Sequence, residues 1–256
     1  QSRSSAASDV YKRQVHRVYC KSVSGTDSGF DLDQTQSIHL SKVLRLKLHE
    51  EVEAFDGMGS SAICKIADIE KRSVSLQRVS EIQISDPIKE KIICVIPLIK
   101  KDNFHFMIQK LTEIGVSDFI FYKPDLIDQS IAKKDITKIA AKSEEVIISA
   151  CKQCGSNFMP TSAIHENITK AFNSIEEGID IYVFDIEASE GFNLNKLKSG
   201  KNICLVTGPE SGFSESELDL FKNRDIKLRL IGNNILRAET APIVISSLVQ
   251  NHFGKI

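Results

Sequence analysis

Long hydrophobic segments are missing from this sequence, which limits where the protein can act. No apolar run approaches the ~20 residues that a helix needs to cross a bilayer. Residues 1–14 also lack an apolar stretch and are rich in serine, so we do not expect them to act as a signal sequence. We expect these residues to be a non-native or disordered leader, and we expect no membrane partner.

Net positive charge is also missing. The chain carries 33 Lys and Arg against 34 Asp and Glu, so no overall basic field attracts nucleic acid. Any RNA contact must therefore come from a local patch. One candidate lies within residues 38–48, a stretch without acids that contains His39, Lys42, Arg45 and Lys47. By itself this run fits either a solvated helix face or a phosphate-binding patch.

Several catalytic motifs are absent as well. The chain has no Gly-x-x-x-x-Gly-Lys-Ser/Thr phosphate loop, no Gly-x-Gly-x-x-Gly dinucleotide loop and no Gly-x-Ser-x-Gly elbow. These absences leave kinase-like and hydride-transfer functions with little support.

The six cysteines mostly fall within apolar runs, which is typical of buried thiols in a reducing cytoplasm rather than of a disulfide framework. Cys151 and Cys154 form a CxxC pair at the end of a predicted helix. Two further ligands at a suitable spacing are missing, so we expect structural thiols and no metal site.

The pattern along the chain predicts two domains. In residues 15–80 a strand-like HRVYC precedes a helical stretch at 34–46, and then EVEAFDG, SAICKIADI and SVSLQRV alternate in polarity. Turn residues separate these three segments, so they predict an antiparallel meander. The polar stretch at 80–90 is the expected linker.

From residue 91 onwards, apolar runs alternate with helical periods, which predicts an α/β domain with a mostly parallel sheet. The predicted strands are IICVIPL, DFIFY, DIYVF, NICLVT and IKLRLI. Asn103 is expected to cap one helix that ends at Gly115, and Asp135 is expected to cap another. Apolar positions on one face of both helices indicate core packing.

Two glycine loops near the C-terminus are candidates for a shared pocket. NICLVT runs into GPESGF, and Ser214 with Glu217 then forms a capping box for the next helix. The strand KLRLI ends at Gly232 and continues through ILRAETAP into a final helix that Pro242 is suited to start. Free backbone N–H groups at such a sheet edge commonly bind small molecules. Without further information, the first loop fits an ordinary tight turn equally well.

The segments GPESGFSESE and LIGNNILRAETA resemble the RsmE family, the ribosomal RNA uridine N3-methyltransferases of the SPOUT (trefoil-knot) class. HLSKVLRLK, FDGMG, IKKDNFHFMIQKLTEIGV and the Gln153-Cys154-Gly155 stretch follow the family order, so the resemblance covers residues 15–253. It implies a small PUA-like β-barrel RNA-binding domain at 15–80. It also implies a SPOUT α/β domain with a C-terminal knot at 91–256, and a homodimer.

The resemblance further implies that S-adenosylmethionine is the cofactor and that 16S ribosomal RNA or the small subunit is the partner. The residues expected to contact the cofactor are Thr207, Gly208, Pro209, Glu210, Gly212, Ile231, Gly232, Ile235, Leu236 and Thr240. Arg237 is expected to stabilise charge on the uracil, and Glu239 to bind or accept a proton. The expected RNA contacts of the first domain are Arg17, His39, Lys42 and Arg45.

This sequence departs from the family pattern at three positions. Ser211 replaces a usual glycine, while Asn234 and Ser156 stand where arginine is common. Loss of two basic residues is expected to weaken RNA contact or to alter the target base. Three alternatives to N3 methylation stay open: methylation of another RNA atom such as a ribose 2′-hydroxyl, a non-catalytic assembly factor, and an enzyme acting on a free nucleotide.

Overall fold

The computed structural model describes residues 15–133, 135–198 and 200–256, so the predicted leader at 1–14 lies outside the described residues. Contacts divide the chain into two units, with the boundary between Asp86 and Pro87. Within the described ranges, no helix is long and apolar enough to cross a membrane.

Six strands form the sheet of the first unit: β1 (His16–Tyr19), β2 (Gly29–Asp31), β3 (Glu51–Phe55), β4 (Ser60–Ile69), β5 (Val74–Arg78) and β6 (Gln83–Ile84). The order is β1-β3-β4-β5-β2, and β6 pairs with β4. The predicted meander is confirmed, because β4 pairs antiparallel with both β3 and β5. No ladder among the described residues joins β2 to β1, so hydrogen bonding leaves this sheet open.

The core of the first unit is made of the alternating apolar positions of these strands. Val18, Val52, Ile66 and Leu76 are fully buried there, together with Leu40 from the helical segment. One strand, β6, lies inside the stretch expected to be a linker.

The helical stretch predicted at 34–46 is shorter and changes form. Helix α1 (Gln34–Ile38) begins after Asp33, whose carboxylate accepts the Gln36 N–H at 2.9 Å. A single π-helical turn (His39–Val43) follows. Arg45 then adopts a φ of 56°, which a helix cannot continue through.

The second unit contains an all-parallel sheet of β7 (Ile92–Pro97), β8 (Asp118–Tyr122), β9 (Thr161–His165), β10 (Asp180–Phe184), β11 (Ile203–Thr207) and β12 (Leu228–Arg229). The strand order is β12-β10-β11-β7-β8-β9. The α/β class and the parallel sheet are confirmed. Strand β12 is shorter than IKLRLI suggested. Strand β9 was not predicted, because this edge strand is partly exposed and lacks a continuous apolar run.

Six helices accompany this sheet: α2 (Lys101–Ile114), α3 (Gln129–Ala132), α4 (Ile136–Cys154), α5 (Ile168–Asn173), α6 (Glu215–Asn223) and α7 (Thr240–His252). The end at Gly115, with φ at 91°, and the Asp135 cap are confirmed. The Asn103 cap is wrong: α2 begins at Lys101, so Asn103 lies inside the first turn. Pro242 is the third residue of α7 rather than its start.

The order of the sheet positions the functional region. Strand β11 lies between β10 and β7, and β12 pairs with β10 on the other side. Because all the strands are parallel, the carboxyl ends of β10, β11 and β12 meet at one edge. The turn after β11 leads into α6, and the loop after β12 leads into α7, so both glycine loops lie at this edge.

Candidate functional site

A cavity of about 320 Å³ opens at the carboxyl ends of β10, β11 and β12. Its volume lies in the range of small-molecule sites, near the lower end. Three chain segments supply its walls, and all of them belong to the second unit: 184–186, 207–213 and 229–241.

Most of the residues expected to contact a cofactor line this cavity. They are Thr207, Gly208, Pro209, Glu210, Gly212, Ile231, Ile235 and Leu236. Gly232 and Thr240 are not among the lining residues. Gly232 instead supplies a turn with φ at 68°, and Thr240 begins α7. The two glycine loops therefore share one pocket.

The turn after β11 needs its glycines for two different reasons. A Cβ on Gly208 would lie 3.2 Å from the ring of Phe213, closer than an undisturbed contact allows. That ring is itself held edge-on against Phe221, with the centroids 5.0 Å apart. Gly212 adopts a φ of 75°, which side chains other than glycine rarely tolerate.

Thr207 forms the buried floor of the cavity. The Tyr122 hydroxyl donates a 3.0 Å hydrogen bond to its backbone carbonyl, and burial raises the pKa of this tyrosine well above its ordinary value. Tyr122 is therefore a neutral donor. The Thr207 Oγ1 atom is buried and has no hydrogen-bond partner among the described residues. A buried hydroxyl beside a cavity is available to a bound molecule.

The two residues expected to be catalytic occupy different environments. Arg237 is exposed and lines the cavity, while its backbone carbonyl accepts the N–H groups of Thr240 and Ala241 at the start of α7. Glu239 is only 8% exposed and is not among the lining residues. Its Oε2 atom is buried and has no hydrogen-bond partner in the part of the chain that the structure describes.

The end of β10 and the residues after it form a cavity wall that the sequence patterns did not predict. Phe184, Asp185 and Ile186 line the cavity, and one carboxylate oxygen of Asp185 accepts the Glu187 N–H at 2.8 Å. Arg229 of β12 also lines the cavity and pairs with Glu190 at 3.2 Å. The sequence signal for Asp185 was an acid directly after a buried strand. This signal does not indicate a site until the strand order is known.

A network of carboxylates and hydroxyls joins the loop after β8 to the start of α6. Glu217 accepts the Asp125 N–H at 3.2 Å and the Ser214 N–H at 2.8 Å, which confirms the predicted capping box. Burial raises the pKa of Glu217. Hydrogen bonds from Ser216 and Ser214 lower the pKa of Asp125.

The three departures from the family pattern have different surroundings. The Ser211 hydroxyl donates to the Leu126 carbonyl at 3.0 Å, so it links the glycine turn to the same loop after β8. Asn234 is exposed and lines the cavity. Ser156 lies at the other end of the sheet, where its hydroxyl donates to the Phe158 carbonyl at 2.8 Å.

In the first unit, Lys42 and Arg45 are exposed at the end of the helical segment, and His39 is partly buried. Arg17 differs from them, because its guanidinium pairs with Glu53 at 3.1 Å and lies 4.4 Å from the centre of the Phe55 ring. Its side chain is only 8% exposed.

Comparison with known proteins places the chain in a family. The RNA methyltransferase domain model matches residues 86–250, and the RNA methyltransferase PUA domain model matches residues 32–77. Ribosomal RNA small subunit methyltransferase E of Buchnera aphidicola, from Acyrthosiphon pisum, is 26% identical over 251 residues and covers 96% of each chain. The Rickettsia conorii protein of the same name is 27% identical, covering 93% of this chain and 96% of its own.

A solved structure shows the same fold. Ribosomal RNA small subunit methyltransferase E from Neisseria gonorrhoeae, crystallised with S-adenosylmethionine, aligns with a TM-score of 0.80 at 23% identity, over 93% of this chain and 97% of its own. The resemblance carried by the two C-terminal motifs is confirmed. Because the methyltransferase model alone spans more than half of the sequence, this chain belongs to the RNA methyltransferase family, in its RsmE group.

Proposed function

We propose that this protein transfers a methyl group from S-adenosylmethionine to N3 of a uridine in 16S ribosomal RNA. The observation that carries this proposal is the single cavity that both family motifs build at the carboxyl edge of the sheet. The names of the RsmE-group relatives support ribosomal RNA of the small subunit as the substrate.

The residues present fit the cofactor. The cavity combines apolar side chains such as Phe184 and Leu236 with the carboxylates of Asp185 and Glu210, which suits a molecule with an adenine ring and positive charge. Thr207 offers an unpartnered buried hydroxyl, and Gly208 leaves no room for a side chain. When bound, S-adenosylmethionine supplies an electrophilic methyl group.

We assign Arg237 to the RNA base. Its exposed guanidinium at the cavity is suited to stabilise the negative charge that develops on the uracil carbonyl oxygens as the N3 proton leaves. Glu239 remains a predicted hydrogen-bonding or proton-accepting group. Because it is buried and does not line the cavity, such a role would have to act through water.

The first unit is proposed to hold the RNA so that the target uridine is unstacked, because a paired base hides N3. Lys42 and Arg45 are the proposed phosphate contacts, with His39 beside them. The pairing of Arg17 with Glu53 makes it a weaker candidate for RNA binding. We also propose the homodimer and the C-terminal knot that are expected of the family.

Transfer of labelled methyl groups tests the function. The wild type and Arg237→Ala are incubated with methyl-labelled S-adenosylmethionine and unmodified small ribosomal subunits, and the label is mapped by mass spectrometry. We expect label at N3 of a uridine, where it stops reverse transcription, and a loss of about 100-fold or more in the variant. Label on a ribose would indicate a 2′-O-methyltransferase.

Calorimetry with S-adenosylmethionine separates an enzyme from a binding protein. We expect both the wild type and Arg237→Ala to bind the cofactor, since Arg237 is assigned to the base. Absence of binding and of transfer in the wild type would leave the assembly-factor alternative. Sedimentation analysis of the full chain tests the homodimer.

A further inference from the structure

A second cavity lies beside the first and shares a wall with it. It has a volume of about 330 Å³. The loop after β7 and the loop after β8 form most of its lining, and residues 209–211 complete it. Pro209 and Glu210 border both cavities, so the two spaces adjoin at the turn after β11 within the second unit.

Aliphatic and polar side chains share the lining of the second cavity. Leu98 and Ile99 are buried beneath it, whereas Leu126 is 45% exposed. The Ser211 hydroxyl holds the Leu126 carbonyl at 3.0 Å, which fixes the far wall relative to the turn. The buried aliphatic side chains at the bottom of the cavity and the exposed one at its side suit a flat, uncharged ring that enters from solvent.

Glu210 is the ionisable residue common to both cavities. Its side chain is exposed, and no hydrogen bond or ion pair to its carboxylate occurs among the described residues. Asp128 lines only the second cavity and pairs with Lys100 at 3.6 Å. Glu239 lines neither cavity.

We propose that the second cavity receives the unstacked uracil and that the Glu210 carboxylate accepts its N3 proton. The inference rests on the proposed function, because it assumes that the first cavity holds the methyl donor. The two cavities adjoin at Pro209 and Glu210, so the N3 edge of a base in the second cavity must project past this turn into the first, where the donor and Arg237 lie.

The proposed transfer breaks two bonds and forms two. The N3–H bond breaks, and the proton passes to a Glu210 oxygen. N3 uses its electron pair to form the bond to the methyl carbon, and the carbon–sulfur bond breaks with its electron pair going to sulfur. Because Glu210 is exposed, its proton then leaves to water and the carboxylate is restored.

Glu210→Gln tests the proton acceptor, with Glu215→Gln as the matched control. Glu215 is an exposed glutamate at the start of α6 that lines neither cavity. We expect Glu210→Gln to lower turnover by about 100-fold or more, as the loss of a general base does. Because Glu210 also lines the cofactor cavity, its calorimetric affinity for S-adenosylmethionine is measured separately, and turnover is compared at saturating cofactor. Unchanged turnover in Glu210→Gln would overturn the proposal.

Chemical rescue distinguishes a proton acceptor from a residue that only shapes the turn. RNA containing 5-fluorouridine has a more acidic N3, so it depends less on an acceptor. We expect the deficit of Glu210→Gln to shrink at least tenfold on this RNA, with no such gain for Glu215→Gln. Rescue in Glu239→Gln but not in Glu210→Gln would assign the proton to Glu239 and overturn the proposal.

The base pocket is tested at Leu126, whose side chain can be changed without removing its backbone hydrogen bond. Leu126→Trp fills the cavity, so we expect loss of transfer and weaker binding of a short RNA containing the target uridine, with affinity for S-adenosylmethionine unchanged. Leu126→Ala should bind and methylate that RNA better than Leu126→Trp. Equal RNA binding by both variants would place the base elsewhere.

These outcomes are separable from failure of the proposed function. If the wild type methylates no uridine at N3, the proposed function itself fails. If the wild type does so while Glu210→Gln and Leu126→Trp match it, only the present inference fails.

Discussion

The hydroxyl of Tyr122 donates a hydrogen bond to the backbone carbonyl of Thr207 at 3.0 Å, across the strand that separates them in the sheet. Tyr122 ends β8 and Thr207 ends β11, with β7 between them. Both residues are buried. This bond fixes the last residue before the glycine turn, so it connects core packing to the floor of the cofactor cavity.

Tyr122→Phe should therefore weaken both the fold and cofactor binding. Removing one buried hydrogen bond costs about 0.5–1.5 kcal/mol, and the Thr207 carbonyl loses its donor. We expect a lower free energy of unfolding in urea and a severalfold weaker affinity for S-adenosylmethionine by calorimetry. Tyr182→Phe is the matched control, since Tyr182 is only partly buried and its ring contact with Phe192 survives the change. Equal effects of both changes would contradict the role of the Tyr122 bond.

Gly208→Ala should disturb the cavity by overpacking. The new Cβ would lie 3.2 Å from the Phe213 ring, which Phe221 prevents from moving freely. Overpacking costs about 1–3 kcal/mol, so we expect affinity for S-adenosylmethionine to fall by about 5- to 150-fold.

Gly191→Ala is the control for this change. A Cβ at Gly191 meets no atom within 4 Å, and the residue has no positive φ. Calorimetry should find its affinity close to wild type. If Gly208→Ala bound S-adenosylmethionine as well as the wild type, the turn would accommodate the new Cβ without a free-energy cost, and the prediction would be wrong.

Asp125→Asn should change how stability depends on pH. The hydroxyls of Ser216 and Ser214 hold the pKa of Asp125 below its usual value, so the folded state favours the ionised form. This stabilisation is fully present above the pKa of an unfolded aspartate, about 3.9, and is lost as the pH falls through the lower folded-state pKa. Because Asp125 is exposed, we expect a deficit of only about 0.5–1 kcal/mol in the variant at pH 7.

Urea denaturation at several pH values measures this effect. The difference between the wild type and Asp125→Asn should shrink as the pH is lowered from about 4 towards 2. Asp68→Asn is the control, because Asp68 is exposed on β4 and no hydrogen bond or ion pair to its side chain occurs in the described part of the chain. A deficit that stays constant with pH would exclude the ionised carboxylate as its source.

Replacing Lys42 and Arg45 by alanine should weaken RNA binding by the full chain. Two lost phosphate contacts lower the slope of log affinity against log salt by about 1–2. The backbone strain at position 45 is the same for arginine and alanine, so folding should be little affected. Lys71 and Arg72, exposed in the turn between β4 and β5, provide a control with the same charge change. An equal loss in both double variants would indicate a general charge effect rather than a patch.

Several parts of this fold could be predicted because they depend on neighbours in sequence. The apolar runs predicted β7, β8 and β11, which are almost wholly buried, and β10, whose first three residues are half-buried. The Asp135 cap, the end at Gly115 and the Ser214 capping box follow from hydrogen bonds within one helical turn. Asn103 failed as a cap because the chain enters α2 earlier, at Lys101, without a side-chain cap.

The candidate site likewise contains residues that the sequence predicted and residues that only the structure brought together. The sequence by itself determined the two glycine motifs, and with them most of the residues that line the cavity, because each motif is continuous along the chain. Only the tertiary structure decided that Asp185 joins them, that Glu239 is buried outside the cavity and that Glu210 borders two cavities. The bond from Tyr122 to Thr207 spans 85 positions, and that from Asp125 to Glu217 spans 92. Such pairs meet because of the strand order, which no local pattern of polarity or capping encodes.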